Sequence, residues 1–226
     1  MKVLLVSIFV LAIIPVVAIS QSNSSQNPVE IKGEPRHHPK FENEFVKIWD
    51  VTVPGGDATL WHAHRNDNVV VTLAPAKLHI ETLGRDPVDD EWKFGEVRFG
   101  KATYIHRAVN VGTTAFHNFT IELLKPSNAK PPALPKEAGR EPILENDRVR
   151  VYRLSIAPGE TIATHTHPFP GVVVTMTDAE IEITAEGKTA RYPIKENDIT
   201  WRSGGATHSI KNVGQTRFEA LDIELK

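Results

Sequence analysis

Short segments in which apolar and polar residues alternate recur along the whole chain. Side chains in a strand point alternately to the two faces of a sheet, so this period of two is typical of strands with one buried face. Turn signals rich in proline, glycine and asparagine separate the segments, and neither half has a long run with helical period. Many short strands at regular spacing predict an all-β protein, built as a sandwich or barrel. The clearest segments are residues 46–51, 69–73, 149–154 and 181–183.

The chain repeats itself at an offset of 103 residues, which becomes 102 after a single deletion. The first offset pairs residues 69–72 (VVVT) with residues 172–175, for example. The duplication predicts two similar small β-barrels in tandem, at residues 41–124 and 144–226, each of a workable size for a core of its own.

Three segments lie outside the repeat. Residues 1–20 contain a lysine followed by an apolar run and end in small residues that suit cleavage before Gln21, which is the pattern of a secretory signal peptide. Residues 21–40 are polar with three prolines and predict a flexible leader, and residues 125–143 predict a proline-rich linker. We therefore expect a secreted or periplasmic protein that is free of the membrane after signal cleavage. An uncleaved anchor is the alternative, because the apolar run is close to the roughly 17 residues that a span needs.

Composition and charge limit the kinds of partner. The net charge is −2 and no basic cluster occurs, so nucleic acid is not an expected partner. The absence of cysteine rules out disulfides and thiolate metal ligands. A small-molecule ligand or substrate is the expected partner, and association into a homo-oligomer stays open.

Six of the ten histidines occupy matching places in the two copies. In each copy two of them are separated by one residue, so in a strand they share a face about 6.6 Å apart along its axis. A third histidine follows 42 residues later in the first copy and 41 later in the second, and must come from a strand distant in sequence. Neutral imidazole nitrogen is a good ligand for Zn, Cu, Fe and Ni. The candidate metal ligands are His62, His64, His106, His165, His167 and His208.

A lone His-x-His is more often a pair of ordinary surface or hydrogen-bonded histidines than a metal site. Two such pairs, each with a third histidine at nearly equal spacing, favour at least one site for a divalent transition metal. The choice among Fe, Mn, Ni, Cu and Zn stays open. The remaining histidines have no counterpart in the other copy and are interpreted as ordinary, although the adjacent His37 and His38 could bind metal weakly from the leader. These remaining histidines are His37, His38, His79 and His117.

The surroundings of these histidines resemble the sequence signatures of the cupins. Gly56 and Gly159 each precede a His-x-His by five residues, as in the first signature, G-x5-H-x-H-x3/4-E-x6-G. Residues 197–212 resemble the second signature, G-x5-P-x-G-x2-H-x3-N, and residues 106–110 keep its H-x3-N end. The resemblance covers most of both repeats. It implies a bicupin, with two jelly-roll (double-stranded β-helix) barrels and a metal ion inside each barrel near its mouth.

Both copies depart from the cupin pattern where the family has its glutamate ligand. Asn68 stands there in the first copy and could offer only a weaker neutral oxygen, whereas Gly171 in the second copy offers nothing. Three imidazoles without a carboxylate leave positions open for water, dioxygen or an anionic substrate. The resemblance to cupins of this kind implies a dioxygenase-like oxidoreductase acting on a small organic substrate. The same loss also fits a non-catalytic cupin that binds a small ligand, or senses or stores metal, and equally a protein with vestigial sites.

Overall fold

The structure is a computed structural model that describes residues 27–127 and 139–226. These residues form nineteen β-strands and one turn of 3-10 helix, Ile31–Gly33. The strands of the first half are β1 (Val29–Glu30), β2 (His37–Glu42), β3 (Val46–Val53), β4 (His62–His64), β5 (Asn68–Ala74), β6 (Ala76–Thr82), β7 (Val88–Trp92), β8 (Val97–Gly100), β9 (Tyr104–Asn110) and β10 (Phe116–Leu123). The strands of the second half are β11 (Arg140–Glu145), β12 (Val149–Ile156), β13 (Thr161–Thr166), β14 (Gly171–Thr175), β15 (Ala179–Ala185), β16 (Lys188–Ile194), β17 (Ile199–Arg202), β18 (Thr207–Asn212) and β19 (Phe218–Leu225).

Each half is a barrel made of two sheets. The first barrel has the strand orders β2-β3-β10-β5-β8 and β1-β4-β9-β6-β7, and the second has β11-β12-β19-β14-β17 and β13-β18-β15-β16. Apart from β1, which pairs parallel to β4, every strand has a counterpart one repeat away. The predicted all-β fold with two tandem jelly-roll barrels is therefore confirmed.

The alternation along the strands separates two kinds of core. In β3, Val46 and Ile48 face the other barrel, whereas Trp49 and Val51 face the interior of their own barrel. The core between the barrels combines such residues from β3, β5 and β10 with their counterparts from β12, β14 and β19. Trp201 caps the edge of this core in contact with aromatic residues of the first barrel. The central strands are thus buried on both faces, and the two barrels share one apolar layer.

Residues 27–40 differ from the predicted flexible leader. β1 extends the sheet that contains β4, Ile31 is buried in the first barrel's core, and His37 begins β2 with its side chain buried. The last residues of the predicted linker, 140–143, likewise belong to β11. The prolines that suggested loose chain, Pro39 and Pro142, lie on edge strands next to shifts in register, where a missing N–H breaks no inner ladder.

No helix among the described residues has the length and apolar character needed to cross a bilayer. The predicted signal peptide at residues 1–20 lies outside the described residues, as does most of the predicted linker.

Candidate metal centres

The strands bring each set of three histidines onto one sheet. β4 presents His62 and His64 on one face, and β9 places His106 directly opposite His62. In the second barrel His165 lies directly opposite His208. The third histidine does come from a strand distant in sequence, but that strand is the hydrogen-bonded neighbour in the sheet.

The three ring nitrogens of the first barrel form a nearly equilateral triangle. The Nε2 atom of His64 is 3.0 Å from that of His62 and 3.1 Å from that of His106, and the third side measures 3.0 Å. For an ion bound at the usual distance of roughly 2.1 Å from each nitrogen, the angles between the metal–nitrogen bonds would be about 90°. That arrangement is one face of an octahedron, with the opposite face open, so the donor set fits a transition metal ion.

Hydrogen bonding among the rings cannot account for this triangle. Each neutral Nε2 either carries a proton or presents a lone pair. Among three such atoms, at least two must therefore be of the same kind, and two donors or two acceptors cannot form a hydrogen bond with each other. Nδ1 of His62 donates to the backbone oxygen of Leu60 at 2.8 Å, which leaves a lone pair on its Nε2. Burial lowers the pKa of His62 to about 4, and burial and neighbouring imidazoles hold the pKa values of His64 and His106 well below the ordinary range. Added protons therefore do not relieve the repulsion, whereas a cation between the nitrogens would.

The second barrel repeats the arrangement with clearer proton positions. Nδ1 of His165 donates to the oxygen of Ala163 at 2.8 Å, and Nδ1 of His167 lies 3.2 Å from an oxygen of Glu224. Both Nε2 atoms then carry lone pairs, and they are 2.9 Å apart, while the Nε2 atom of His208 is 3.2 Å from that of His167. Burial lowers the pKa of His167 to about 3 and that of His208 to about 4. Fixing a ring through Nδ1 is how proteins orient metal-binding imidazoles.

The structure thus assembles all six predicted histidines into two clusters. Metal binding by them stays a prediction, tested below.

The position of the missing glutamate is filled in opposite ways in the two barrels. Asn68 is buried and its amide lies 3.1 Å from the Tyr104 hydroxyl, and a Cβ on the neighbouring Gly100 would come within 2.6 Å of the Asn68 oxygen. In the second barrel the large residue sits on the other strand: Gly171 faces Arg202, and a Cβ on Gly171 would come within 2.8 Å of its guanidinium. Neither barrel offers a carboxylate at this place.

Arg202 belongs to a buried group of charges behind His167. Its guanidinium lies 2.8 Å from Asp222, which also accepts from Arg140 at 3.1 Å. Burial raises the pKa of Asp222, but Arg202, His167 and Arg140 outweigh it and hold that pKa below its usual range. Burial, followed by the charge of Asp222, raises the pKa of Glu224 to about 7. Two arginines, both ion-paired with Asp222, therefore lie close to the second histidine cluster.

Each cluster opens into a cavity. The first cavity is about 480 Å³ and is lined by the histidines together with Tyr104, Arg85 and Arg98. The second is about 360 Å³, with more apolar walls that include Ile183 and Tyr192. Both volumes are those of small-molecule sites.

Sequence reasoning missed two residues of the first site. His37 lies with its ring centroid 4.7 Å from that of His62, and its Nδ1 is 2.6 Å from a carboxylate oxygen of the buried Glu34. The sequence alone predicts an ordinary histidine at this position, with at most weak metal binding together with His38 from a flexible leader. A signal existed in the sequence, because the offset of 103 also pairs Glu34 with Glu137 and so extends the repeat upstream of Phe41.

Comparison with known proteins identifies the fold. No protein-family model and no curated protein matches the sequence. Among solved structures, protein Ylba from E. coli superposes with a TM-score of 0.62 at 11% identity, over 86% of this chain and 84% of that one. Salicylate 1,2-dioxygenase from Pseudaminobacter salicylatoxidans gives 0.60 at 12%, over 86% and 77%. The cupin 2 conserved barrel domain protein from Leptotrichia buccalis gives 0.53 at 11%, over 84% and 88%. The chain therefore has the cupin fold, twice in one chain, as the signatures indicated.

Proposed function

We propose that the chain is a metal-binding bicupin. In the first barrel His62, His64 and His106 hold a divalent transition metal ion, and the corresponding three histidines do so in the second. The observation that carries this proposal is the triangle of Nε2 atoms 3.0–3.1 Å apart, in buried neutral rings whose own protons cannot satisfy one another.

As an enzyme, the chain would be a dioxygenase-like oxidoreductase acting on a small organic molecule. A bound transition metal supplies Lewis acidity and brings dioxygen and substrate together. The protein holds the ligands in place: the Tyr104 ring stacks on His64 with centroids 4.7 Å apart, and Asn68 fixes its hydroxyl. Burial raises the pKa of Tyr104 to about 12, so that hydroxyl stays protonated. The likeness in fold to a salicylate 1,2-dioxygenase supports this chemistry without naming a substrate.

The lining of the first cavity favours an anionic or polar substrate. Arg85, Arg98 and Lys101 line it. Arg98 is ion-paired with Asp90 and Glu96, and Lys101 lies 3.4 Å from Asp67, so Arg85 is the positive charge that a substrate would meet. Because the second cavity is smaller and more apolar, the two barrels are not equivalent.

A non-catalytic binding or metal-sensing protein is the second candidate, and one observation favours it. Both carboxylates beside the second cluster, Asp222 and Glu224, lie within ion-pair distance of Arg140 and Arg202. The arginines help to hold the pKa of Asp222 below its usual range, so this carboxylate is poorly suited to exchange protons with a substrate. Glu224, whose pKa is about 7, is not among the residues that line the second cavity.

Export to the periplasm or the medium, directed by residues 1–20, is part of the proposal and rests on their sequence pattern alone. The N-terminal residue of the protein recovered from the producing cell tests it, and Gln21 is the expected one.

The experiment for the function is metal analysis followed by oxygen uptake. Purified full-length protein is stripped with a chelator and reloaded in turn with Fe²⁺, Mn²⁺, Ni²⁺, Cu²⁺ and Zn²⁺. We expect two ions per chain, one of them lost in His62→Ala and one in His165→Ala, with His38→Gln as the exposed control that keeps both. Folded protein that takes up no ion would refute metal binding. Oxygen consumption with a panel of small organic acids then separates an enzyme from a binding protein.

A further inference from the structure

The segment before the repeat carries a fourth imidazole into the first barrel. His37 pairs with Val51 of β3, whose side chain belongs to the interior core, and its own side chain is 3% exposed. Its ring centroid lies 4.7 Å from that of His62 and 6.2 Å from that of His64. One ring nitrogen from each of these three residues lies within 4.8 Å of the others.

Glu34 fixes the orientation of this ring. Its carboxylate accepts from Nδ1 of His37 at 2.6 Å, from the backbone N–H of Arg36 at 2.8 Å and from that of Leu60 at 3.1 Å. Nδ1 of His37 therefore carries the proton and Nε2 presents a lone pair, for which the described residues provide no hydrogen-bond partner. The carbonyl of the same Leu60 holds His62, so one short segment positions both rings.

A histidine that donates through Nδ1 to a carboxylate is the usual form of an imidazole metal ligand. Ligands of one ion with bonds of roughly 2.1 Å lie at most about 4.2 Å apart. A shift of roughly 0.6 Å or less would bring the His37 nitrogen of this group within the limit of His62 and His64. Binding to the same ion also requires His37 and His106 to approach each other to within this limit. Asn68 stands where the cupin signature has its glutamate ligand, but its amide is hydrogen-bonded to the Tyr104 hydroxyl. The position of a fourth ligand is therefore not filled by Asn68.

The second barrel places a different residue at the same position. His37 faces Val51 and, one repeat later, Arg140 faces Leu154. Arg140 lies 3.1 Å from Asp222 and 3.6 Å from Glu224. At this point the first barrel thus provides an imidazole nitrogen that can bind a metal ion, whereas the second provides an arginine, ion-paired with Asp222, that cannot.

We propose that His37, oriented by Glu34, is the fourth nitrogen ligand of the ion in the first barrel. The first barrel then holds its ion with four imidazoles and the second with three, and the first binds more tightly. This inference rests on the proposed function, since it presupposes that the three histidines of the first barrel bind an ion.

Co²⁺ is the probe for the test, in the full-length chain with the second site removed by His165→Ala and His208→Ala. Each imidazole bound to Co²⁺ through Nε2 leaves an Nδ1–H whose proton resonance is strongly shifted and disappears in D2O. We expect four such resonances, falling to three when His37→Gln is added. We also expect Zn²⁺ affinity, measured by competition with a chelating dye, to fall about tenfold or more in His37→Gln and about tenfold in Glu34→Gln. His38→Gln, an exposed neighbour on the same strand, should change neither measurement.

The outcomes separate this inference from the proposed function. Three resonances in the parent protein, or four that persist in His37→Gln, would overturn the role of His37 while leaving metal binding intact. A folded parent that binds no Co²⁺ would refute the proposed function itself. If His37→Gln does not fold, the number of resonances in the parent decides, with four supporting the inference and three overturning it.

Discussion

The buried histidines make the metal-free protein sensitive to acid. Their pKa values are about 4 for His62, 3 for His167 and 4 for His208, against an ordinary value near 6.5. The unfolded chain therefore binds more protons than the folded one between pH 6.5 and 4, and stability is lost as the pH falls through this window. At pH 5.5 His62 and His167 each cost about 1.4 kcal/mol of unfolding free energy relative to pH 7.5, and the more exposed His208 costs less because solvent screens it.

One carboxylate opposes this loss. Burial raises the pKa of Glu224 from 4.5 to about 7, so the folded state holds its proton in the range where the unfolded state has released it. Acidification from pH 7.5 to 5.5 therefore raises the contribution of Glu224 to the unfolding free energy by about 2 kcal/mol. His62 and His167 together lose about 3 kcal/mol, His208 adds a smaller loss, and the lowered pKa values of His64 and His106 act in the same direction. The net expectation is a loss of at least about 1 kcal/mol of unfolding free energy.

Urea unfolding of chelator-treated protein, followed by tryptophan fluorescence at pH 7.5 and 5.5, measures this difference. In His62→Gln the loss between the two pH values should shrink by about 1.4 kcal/mol, because that residue no longer resists protonation. His38→Gln should behave as wild type. Equal stability at both pH values, or greater stability at pH 5.5, would show that the rings are not held neutral by burial.

Three further predictions follow from packing and linkage. Gly100→Ala should destabilise by about 1–3 kcal/mol and be rescued by Asn68→Gly, because the three atoms nearest to the added methyl belong to that side chain and to Tyr104. Failure of the rescue in thermal melts would contradict the geometry. Gly171→Ala should cost as much and not be rescued by Arg202→Ala, because the methyl also lies 2.6 Å from a backbone oxygen; full recovery would refute this. Zn²⁺ at 100 times its dissociation constant should raise the unfolding free energy of the stripped protein by about 2.7 kcal/mol per site, and an unchanged melting temperature would argue against binding.

The sequence predicted the parts of the fold that depend on local periodicity. Alternation identified β3 and its counterpart β12, and the repeat located the two strands of each barrel that position the three candidate histidines. Prolines were misleading at Pro39 and Pro142, since a proline on an edge strand and a proline in a linker look alike in sequence. The role of an edge strand is fixed only when its neighbours are known.

The parts of the site that escaped prediction depend on pairing between distant strands. His37 acquires its place because β2 pairs with β3 and because Glu34 and Leu60 meet beside it. The sequence also did not show that the place of the glutamate is filled by the Asn68 amide in the first barrel and by the Arg202 guanidinium in the second. It requires knowledge that Gly100 lies beside Asn68, and nothing in the spacing of 32 residues indicates that neighbour.

The apolar layer between the barrels has a consequence for how the two copies could diverge after duplication. A residue such as Ile48 or Val174 packs against the other copy, so a change in size there must be accommodated by both copies at once. A residue in the interior of a barrel packs only against residues of its own copy. The interior of one barrel can therefore change, and that barrel can acquire new chemistry, while its twin keeps the old and the contact between the two copies is preserved.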